Sequence, residues 1–386
     1  MPAEGKKMNK ETRVGQWVII GCGVLLLALA GCANSRVETS GESNEYLSSD
    51  CFTRPELTPI TITDTERNQV SGTTIDLVTY DSFLAPEGAF EAFKKETGIS
   101  VNILLSADTG TMVSQSILTA GDPVADVMFG VDNTFLCRAL VNDIFHPFEP
   151  STITELADEL KLDPYSRVTP VDYGDICLNY WKDPNNTAPT SIDDLRSSSF
   201  TSAFVTQNPE TSAPGMGFLL ASIAFYGEEN WEEFWVDLRK NDVVVRPGWT
   251  ESYYGDFISG GGERTIVTSY STSPVAEYVY AATPVDEPPT GIIKDSCFRS
   301  IEFAGVLHGT DHPIASAMLI EFLTSVDFQE QIPDTNFVLP ANMNAVIPDV
   351  FLQFMPDEIL PVTVSPEAIE ENRDRWTERW TEIVLR

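Results

Sequence analysis

Short apolar runs alternate with longer amphipathic stretches along most of the chain. The first three runs are β-rich and predict strands at residues 75–80, 101–105 and 125–129. The stretches between them, residues 86–97 and 112–120, have the spacing of helices, and each is followed by a glycine, Gly98 or Gly121. A β-α-β-α-β order with short connections is typical of a parallel α/β sheet.

A second set of elements follows a candidate crossover strand at residues 172–180. Helices are predicted at 192–196, 216–226 and 231–240, and strands at 203–207, 243–245 and 265–269. Residues 284–290 are rich in proline and acid and predict a hinge border, and residues 297–303 predict a return strand. Further helices are predicted at 313–325 and 366–385.

This pattern predicts the α/β class and a fold of two lobes. Each lobe is expected to be a mainly parallel sheet flanked by helices, and hinge crossovers join the two lobes. Ligands bind at the carboxyl ends of strands in such sheets, so two facing lobes would form a cleft that closes on a solute.

The N-terminus predicts export. A basic segment that ends at Arg13 is followed by an apolar run, residues 17–30, which is too short for a comfortable membrane span. The run ends in Leu29-Ala30-Gly31-Cys32, which resembles the bacterial lipoprotein cleavage box, so Cys32 is the expected lipidation site. An uncleaved N-terminal anchor is the alternative, and both interpretations place the remaining residues outside the cytoplasm.

Composition completes the predicted domain organisation. After a signal peptide over 1–31, residues 32–70 are poor in large apolar side chains and predict a lipidated flexible tether. The remaining chain is too long for one typical core. We expect lobe 1 over 71–174, lobe 2 over 175–290, and a return to lobe 1 with C-terminal helices over 291–386.

The chain is strongly acidic, with a formal net charge of −34. Such a charge disfavours nucleic acid and anionic headgroups as partners and mildly favours cationic solutes. Solubility or adaptation to salt explains the charge equally well, so charge alone does not name a ligand.

Four cysteines remain once Cys22 in the signal segment and Cys32 are set aside: Cys51, Cys137, Cys177 and Cys297. In an oxidising compartment they favour disulfides, with three connectivities open. We prefer Cys177–Cys297, because both fall where the chain is expected to cross between lobes, which leaves Cys51–Cys137.

Motifs of catalysis are not found. The sequence has no G-x-S-x-G elbow and no Walker A lysine, and the glycine-rich residues 259–263 predict a flexible loop. His308 and His312 are four residues apart, but Gly309 and Pro313 favour a loop without metal. We therefore expect a protein that is not an enzyme and that holds no metal or cofactor.

Polar and aromatic motifs instead follow the predicted strands. Residues 80–83 (YDSF), 108–110 (DTG) and 130–133 (GVDN) follow the first three, and residues 248–254 and 269–274 place aromatic residues in loops of the second lobe. Residues 211–215 (TSAPG) precede an apolar helix, where Ser212 provides either a polar binding group or a simple N-cap.

From about Leu77 onwards these motifs make the chain resemble the thiamine-binding proteins of bacterial ABC importers, which have the type II periplasmic-binding-protein fold. The matching stretches are YDSF (80–83), DVMFGVDNTFL (126–136), DYGD (172–175), TSAPGMGFLLA (211–221), GWTESYYGDF (248–257), SYSTSP (269–274), NFVLP (336–340) and RDRWTERW (373–380). The resemblance implies an exported protein at the outer face of the cytoplasmic membrane. Such a protein captures thiamine or its phosphates and delivers it to the permease subunits.

Aromatic residues hold the thiamine rings in that family, and polar groups hold its tail. Carried over, the resemblance implies that the ligand-binding residues are Tyr80, Asp81, Ser82, Asp108, Gly110, Asp132, Thr211, Ser212, Trp249, Tyr253, Tyr270, Ser273 and Phe337. Phe337 stands where the family has a tryptophan, and a second family tryptophan is not matched near Pro86 and Glu87.

The chemistry of thiamine agrees with such a site, because a flat cation with two rings favours aromatic walls and a nearby carboxylate. Tyr80 and Phe337 from the first lobe are expected to meet Trp249 and Tyr270 from the second.

Three alternatives remain. A ferric-ion-binding protein of this fold would use the adjacent pair Tyr253 and Tyr254. A polyamine-binding protein would use several carboxylates with aromatic residues. An extracellular thiamine-degrading enzyme would need Cys137 or Cys177 as a free nucleophile in the cleft.

Overall fold

Ten strands form one mixed sheet within residues 51–184, 187–258 and 264–386, which the computed structural model describes. The strands are β1 Thr74–Thr79, β2 Ser100–Leu105, β3 Val127–Asp132, β4 Phe145–His146, β5 Thr169–Trp181, β6 Phe204–Gln207, β7 Val244–Arg246, β8 Ile266–Tyr270, β9 Thr290–Leu307 and β10 Leu339–Pro340. Their order is β2-β1-β3-β9-β5-β8-β6-β7, with β4 beside β9 and β10 beside β5.

The sheet has two parallel regions, one at each end. β1 pairs in parallel with β2 and β3, and β6 pairs in parallel with β7 and β8. Each region comes from a β-α-β segment of the chain, as the alternation of apolar runs predicts, and the two-lobed α/β architecture is therefore confirmed.

The long antiparallel strands β5 and β9 connect the two regions. Their register shifts between Ile176 and Leu178, and Cys177 at this point forms a disulfide with Cys297. Before the shift β5 lies beside the part of β9 that pairs with β3, and after it β5 also pairs with β8. The disulfide therefore joins both crossover strands where the chain passes from one lobe to the other, as expected from the sequence.

Twelve α-helices flank the sheet in the described residues. They are α1 Asp64–Gln69, α2 Ala89–Thr97, α3 Thr109–Leu118, α4 Leu136–Val141, α5 Ala213–Tyr226, α6 Trp231–Lys240, α7 Ser273–Val279, α8 Pro313–Leu323, α9 Val326–Gln329, α10 Ile332–Asn336, α11 Asp349–Phe354 and α12 Pro366–Val384. Short 3-10 helices lie at Ile153–Glu155, Asp158–Leu160, Ile192–Arg196 and Ser198–Phe200, and a π-helix spans Glu251–Ile258.

The capping residues explain where several helices begin and end. Asp108 accepts a hydrogen bond from the Thr109 amide at the start of α3, which therefore begins three residues before the predicted start. Ser212 caps α5, with Pro214 in its first turn. Gly98 ends α2 in the left-handed region with φ of 76°, as its position predicts.

Three local predictions were wrong. The return strand is 18 residues long rather than seven, because β9 pairs with β5 along most of its length. Residues 251–254 belong to the π-helix rather than to a loop. Ser273 and Pro274 open α7 rather than ending a loop, since proline is well suited to a first helical turn.

The segment from Cys51 to Val70 is not a free tether. Cys51 forms a disulfide with Cys137 of α4, and α1 begins with a capping box between Thr63 and Glu66. Ile60, Ile62 and Val70 also pack against the apolar core of lobe 1, so covalent, polar and apolar contacts together attach this segment. The predicted signal peptide, Cys32 and the tether as far as residue 50 lie outside the described residues.

The C-terminal helix α12 packs against α6 and α4. The Trp380 ring lies edge-on to Trp235 of α6, with centroids 5.5 Å apart. Arg373 is buried, donates to the Thr134 carbonyl and lies 4.3 Å from the Phe135 ring centroid. In this way α12 supports the turn that follows β3. Of the described helices, none is both long and apolar enough to cross a membrane.

Candidate ligand-binding site

A cavity of about 320 Å³ lies between the strand ends of the two lobes. Tyr80 follows β1, Asp108 precedes α3, Trp249 follows β7 and Tyr270 ends β8, and all four line it. The cavity therefore occupies the place where open α/β sheets bind their ligands.

Trp249 is fixed in the cavity wall by three contacts. Its ring stacks on Tyr253, with centroids 4.6 Å apart and 13° between the planes. Its indole Nε1 donates to Ser269 Oγ at 2.9 Å, and its backbone amide donates to Asp108 Oδ2 at 3.0 Å. The π-helix produces this stack because it places Tyr253 beneath the indole, so the exposed face of Trp249 is preorganised for a flat ligand.

Tyr80 lies against the backbone of β3. Gly130 there has φ of +100°, and a Cβ atom at this position would lie 2.3 Å from Tyr80 Cδ1. Both the dihedral and the close approach require glycine. The Tyr80 ring also meets Phe83 edge-on at 6.1 Å, so its position is set from two sides.

Phe337 provides an aromatic surface from the returning chain. It ends α10 in the left-handed region with φ of 53°. Its ring stacks on Phe351 at 5.8 Å and meets Tyr280 at 5.6 Å. Phe337 is therefore held inside an aromatic cluster that includes another cavity residue, Tyr280.

Hydrogen bonds join the two lobes around the cavity. Besides the contact between Asp108 and the Trp249 amide, the Gly110 amide donates to the Thr211 carbonyl at 3.0 Å. On the other side of the cavity the Thr272 hydroxyl donates to the Phe337 carbonyl. The structure thus has the lobes in contact, and the cavity between them is largely enclosed.

Three carboxyl groups lie side by side on the central strands next to the cavity. In the strand register, Glu302 of β9 is opposite Asp132 of β3 on one side and Asp172 of β5 on the other. All three residues are buried, and Glu302 lines the cavity. We call this set the carboxyl row.

Several carboxyl oxygens of the row have no hydrogen-bond donor beside them in the described residues. Asp132 Oδ2, both Asp172 oxygens and Glu302 Oε2 have no hydrogen-bond partner in the described residues. The Tyr270 hydroxyl lies 3.4 Å from Glu302 Oε1, and the nearby Tyr80 hydroxyl also lowers the pKa of this carboxyl group.

Burial and mutual repulsion change the acidity of this region. Burial, followed by the charge of Asp132, raises the pKa of Glu302 to about 8. Burial and the neighbouring Glu302 raise the pKa of Asp172 well above its usual value. Burial raises the pKa of Asp132 to about 6 against its hydrogen bonds with Thr134. The region therefore holds protons at neutral pH more readily than ordinary carboxylates do.

Asp108 is a fourth buried acid, and it lines the cavity. Burial raises its pKa to about 6, although the Ser212 hydroxyl and the Thr109 and Trp249 amides donate to it. Glu277, which accepts a hydrogen bond from the Tyr253 hydroxyl at 2.8 Å, also lines the cavity. No lysine, arginine or histidine is among the described residues that line it, so the cavity suits a cationic or hydrogen-bond-donating ligand.

Eight of the residues predicted to bind ligand line this cavity: Tyr80, Ser82, Asp108, Trp249, Tyr253, Tyr270, Ser273 and Phe337. The expected meeting of Tyr80 and Phe337 with Trp249 and Tyr270 is therefore present in the geometry.

The other five do not line the cavity. Gly110, Thr211 and Ser212 lie where α3 and α5 begin and where the lobes meet, and the Thr211 hydroxyl donates to the Pro247 carbonyl at 2.5 Å. Asp132 lies beside Glu302 in the carboxyl row but does not line the cavity. Asp81 is exposed, beside Thr250 and Glu251 of the other lobe.

Sequence reasoning missed Glu302, Glu277 and Tyr280 as cavity residues. Glu302 had a signal, because it is a lone acid within the apolar run of the return strand. A buried acid in a strand requires a partner or a proton, and this would have identified it as a candidate.

Two other candidate features have structural roles. The Tyr253 hydroxyl donates to Glu277, and burial raises the pKa of both Tyr253 and Tyr254. His308 Nδ1 lies 3.1 Å from the Asp143 carbonyl oxygen, in a loop as predicted. The described residues contain no cluster of three or more His, Cys, Asp or Glu side chains that could hold a metal.

The family model for bacterial extracellular solute-binding proteins matches residues 122–358. One relative, the thiamine-binding periplasmic protein of Brucella suis, is 29% identical over 313 residues, which cover 80% of this chain and 91% of the relative.

Solved structures agree with this relationship. A periplasmic thiamin binding protein superposes with a TM-score of 0.70 at 25% identity, over 81% of this chain and 96% of that protein. The ferric binding protein from Campylobacter jejuni superposes with a TM-score of 0.66 at 16% identity, over 80% of this chain and 99% of its own, and shares the fold. The chain belongs to the bacterial extracellular solute-binding protein family.

Proposed function

We propose that this extracellular solute-binding protein captures thiamine in the cavity between its lobes and delivers it to an ABC importer. The observation that carries the proposal is the preformed aromatic enclosure in which Trp249, stacked on Tyr253, shares one cavity with Tyr80, Tyr270 and Phe337. The names of the relatives at 25–29% identity support the same ligand.

The electrostatics of the cavity support a cationic solute. Thiamine carries a permanent positive charge on its thiazolium ring, which aromatic faces and nearby carboxyl groups stabilise. Asp108 and Glu277 line the cavity, and no basic side chain is among the described lining residues. This arrangement does not by itself favour the phosphate esters of thiamine over thiamine.

Export and lipid attachment are part of the proposal. The basic segment, the apolar run and the box that ends at Cys32 support a lipoprotein signal, and the relative from Brucella suis is named as periplasmic. Mass spectrometry of the membrane-associated protein should detect diacylglycerol on Cys32, and a Cys32→Ser variant should keep an uncleaved N-terminus.

A polyamine is the second candidate, because the carboxyl row supplies several acids beside aromatic residues. Ferric ion has less support, since a ferric site needs ionised tyrosines and the pKa of Tyr253 and Tyr254 is raised. A thiamine-degrading enzyme would need a free cleft cysteine, but Cys137 and Cys177 are both in disulfides.

A thermal-shift panel tests the proposal directly. The purified protein is heated with thiamine, thiamine monophosphate, thiamine diphosphate, spermidine and ferric citrate. A ligand present at about 100 times its Kd stabilises the native state by about 2.7 kcal/mol, which gives a clear increase in Tm. We expect thiamine to increase the Tm, and an increase with spermidine alone or iron alone would refute the proposal.

A further inference from the structure

We propose that Glu302 recognises the aminopyrimidine ring of the ligand as a neutral carboxylic acid. It would donate one hydrogen bond to a ring nitrogen and accept one from the neighbouring amino group. The inference rests on the proposed function, because it concerns which group of thiamine meets which part of the cavity.

The position of Glu302 is the first argument. It is the central member of the carboxyl row, and neighbouring strands place its Cα about 4.5–5.5 Å from those of the flanking residues. Its side chain is only 5% exposed and lines the cavity, yet Oε2 has no hydrogen-bond partner in the described residues. A buried carboxyl oxygen without a partner is costly when the group is ionised, which favours the neutral acid.

The surroundings of Glu302 keep it protonated. Hydrogen bonds from the Tyr80 and Tyr270 hydroxyl groups lower its pKa, but Asp132 faces it from β3, Asp172 from β5 and Asp108 from the start of α3. These acids repel a negative charge on Glu302, and burial opposes it further.

One basic side chain, that of Arg373, lies near Asp132 of the carboxyl row. Arg373 of α12 acts on Asp132, but it also donates to the Thr134 carbonyl and pairs with Glu370. Among the described residues that line the cavity, none is basic, so no counter-ion reaches Glu302 from that side. Burial and the neighbouring acids raise its pKa to about 8, which leaves the side chain mostly neutral at physiological pH.

The protonation state decides what Glu302 recognises. A neutral carboxyl group presents one donor and one acceptor side by side, whereas a carboxylate presents only acceptors. The aminopyrimidine presents the complementary pair, a ring nitrogen that accepts and an adjacent amino group that donates. Two parallel hydrogen bonds therefore form only with the neutral acid. An ionised Glu302 would have no proton to donate to the ring nitrogen, and its oxygen would be repelled by the lone pair of that nitrogen.

The pH dependence of affinity tests this inference. Thiamine binding to the wild-type protein is measured by calorimetry from pH 6.5 to 8.5. For a pKa of about 8 the protonated fraction of Glu302 decreases about fourfold over this range, so the Kd should increase about fourfold. A Kd that decreases with pH would overturn the inference, because it would make ionised Glu302 a counter-ion of the thiazolium.

Substitutions separate the donor–acceptor pair from simple burial. Glu302→Gln keeps an adjacent donor and acceptor, so it should bind thiamine within a few-fold of wild type and lose the increase in Kd between pH 6.5 and 8.5. Glu302→Leu removes both groups and should bind at least about tenfold more weakly. Glu321→Gln, which changes an acid paired with Arg67 outside the cavity, is the matched control and should follow the wild-type profile.

The outcomes distinguish the two proposals. If wild-type protein does not bind thiamine at any pH, the proposed function is wrong and this inference with it. If it binds, but Glu302→Gln is as weak as Glu302→Leu or keeps the wild-type pH profile, the inference alone is wrong. If Glu302→Leu does not fold, the pH profiles of wild type and Glu302→Gln decide the question.

Discussion

Replacing Trp249 by alanine tests the aromatic enclosure directly. The indole now presents one face to the cavity, while its other face stacks on Tyr253 and its Nε1 is bonded to Ser269. The substitution removes the ligand-facing surface, leaves the Tyr253 ring open to the cavity, and leaves the Ser269 hydroxyl with its contact to Ser273.

The expected loss follows from the geometry. A desolvated contact between a cation and an aromatic face is worth about 2 kcal/mol, and this corresponds to an increase in Kd of about 30-fold. Nanomolar capture requires about 12 kcal/mol in total, so the other walls should retain weaker but measurable binding. Trp249→Phe keeps an aromatic face and loses the bond to Ser269, for which we expect a smaller increase of about fivefold.

Isothermal titration calorimetry with thiamine measures these differences, and thermal unfolding of each variant shows that the fold is retained. Phe225→Ala is the matched control, because it removes a 44% exposed ring that contacts Tyr226 on α5 and does not line the cavity. Its Kd should equal that of wild type.

One result would refute the reasoning. If Trp249→Ala folds and binds thiamine within about threefold of wild type, Trp249 does not stack on the ligand. The ligand would then bind elsewhere in the cavity, and the preformed stack with Tyr253 would be a packing feature of the π-helix.

Three further predictions concern the scaffold of the site. Gly130→Ala should displace Tyr80 and increase the Kd for thiamine at least about tenfold, measured by calorimetry, because the new Cβ would lie 2.3 Å from the ring; unchanged affinity would contradict the role of this close approach. Serine at both Cys177 and Cys297 should lower the free energy of unfolding in urea by about 2–5 kcal/mol, since the disulfide closes a separation of 120 residues, and an unchanged urea midpoint would contradict it. Because the pKa of Glu302 is raised in the folded state, it stabilises the empty protein fully below about pH 4.5 and progressively less as pH rises to about 8. In urea titrations, the free energy of unfolding of wild type should therefore decrease relative to that of Glu302→Gln between pH 5 and pH 8. An increase relative to the variant would contradict this.

Much of the fold was predictable from local pattern. Strands β1 to β3 and the helices between them follow from short-range periodicity and from capping residues such as Gly98, which act within a few residues of themselves. The sequence also identified the aromatic residues that follow the strands, because parallel strands bring their carboxyl ends to one edge of a sheet. The preferred pairing of Cys177 with Cys297 succeeded for the same reason, since it relied only on where the chain crosses between lobes.

The tertiary structure alone decided the carboxyl row beside the cavity. Asp132, Asp172 and Glu302 are far apart in sequence, and only the antiparallel register of β9 with its two neighbours places their carboxyl groups in one row. The stack of Trp249 on Tyr253 likewise depends on a π-helix that no periodicity indicated. Sequence pattern reports the conformation of neighbouring residues, whereas burial and the repulsion between distant acids exist only after the strands are paired. The aromatic walls could therefore be predicted from the sequence, whereas the position of Glu302 among its neighbouring acids was set by long-range register.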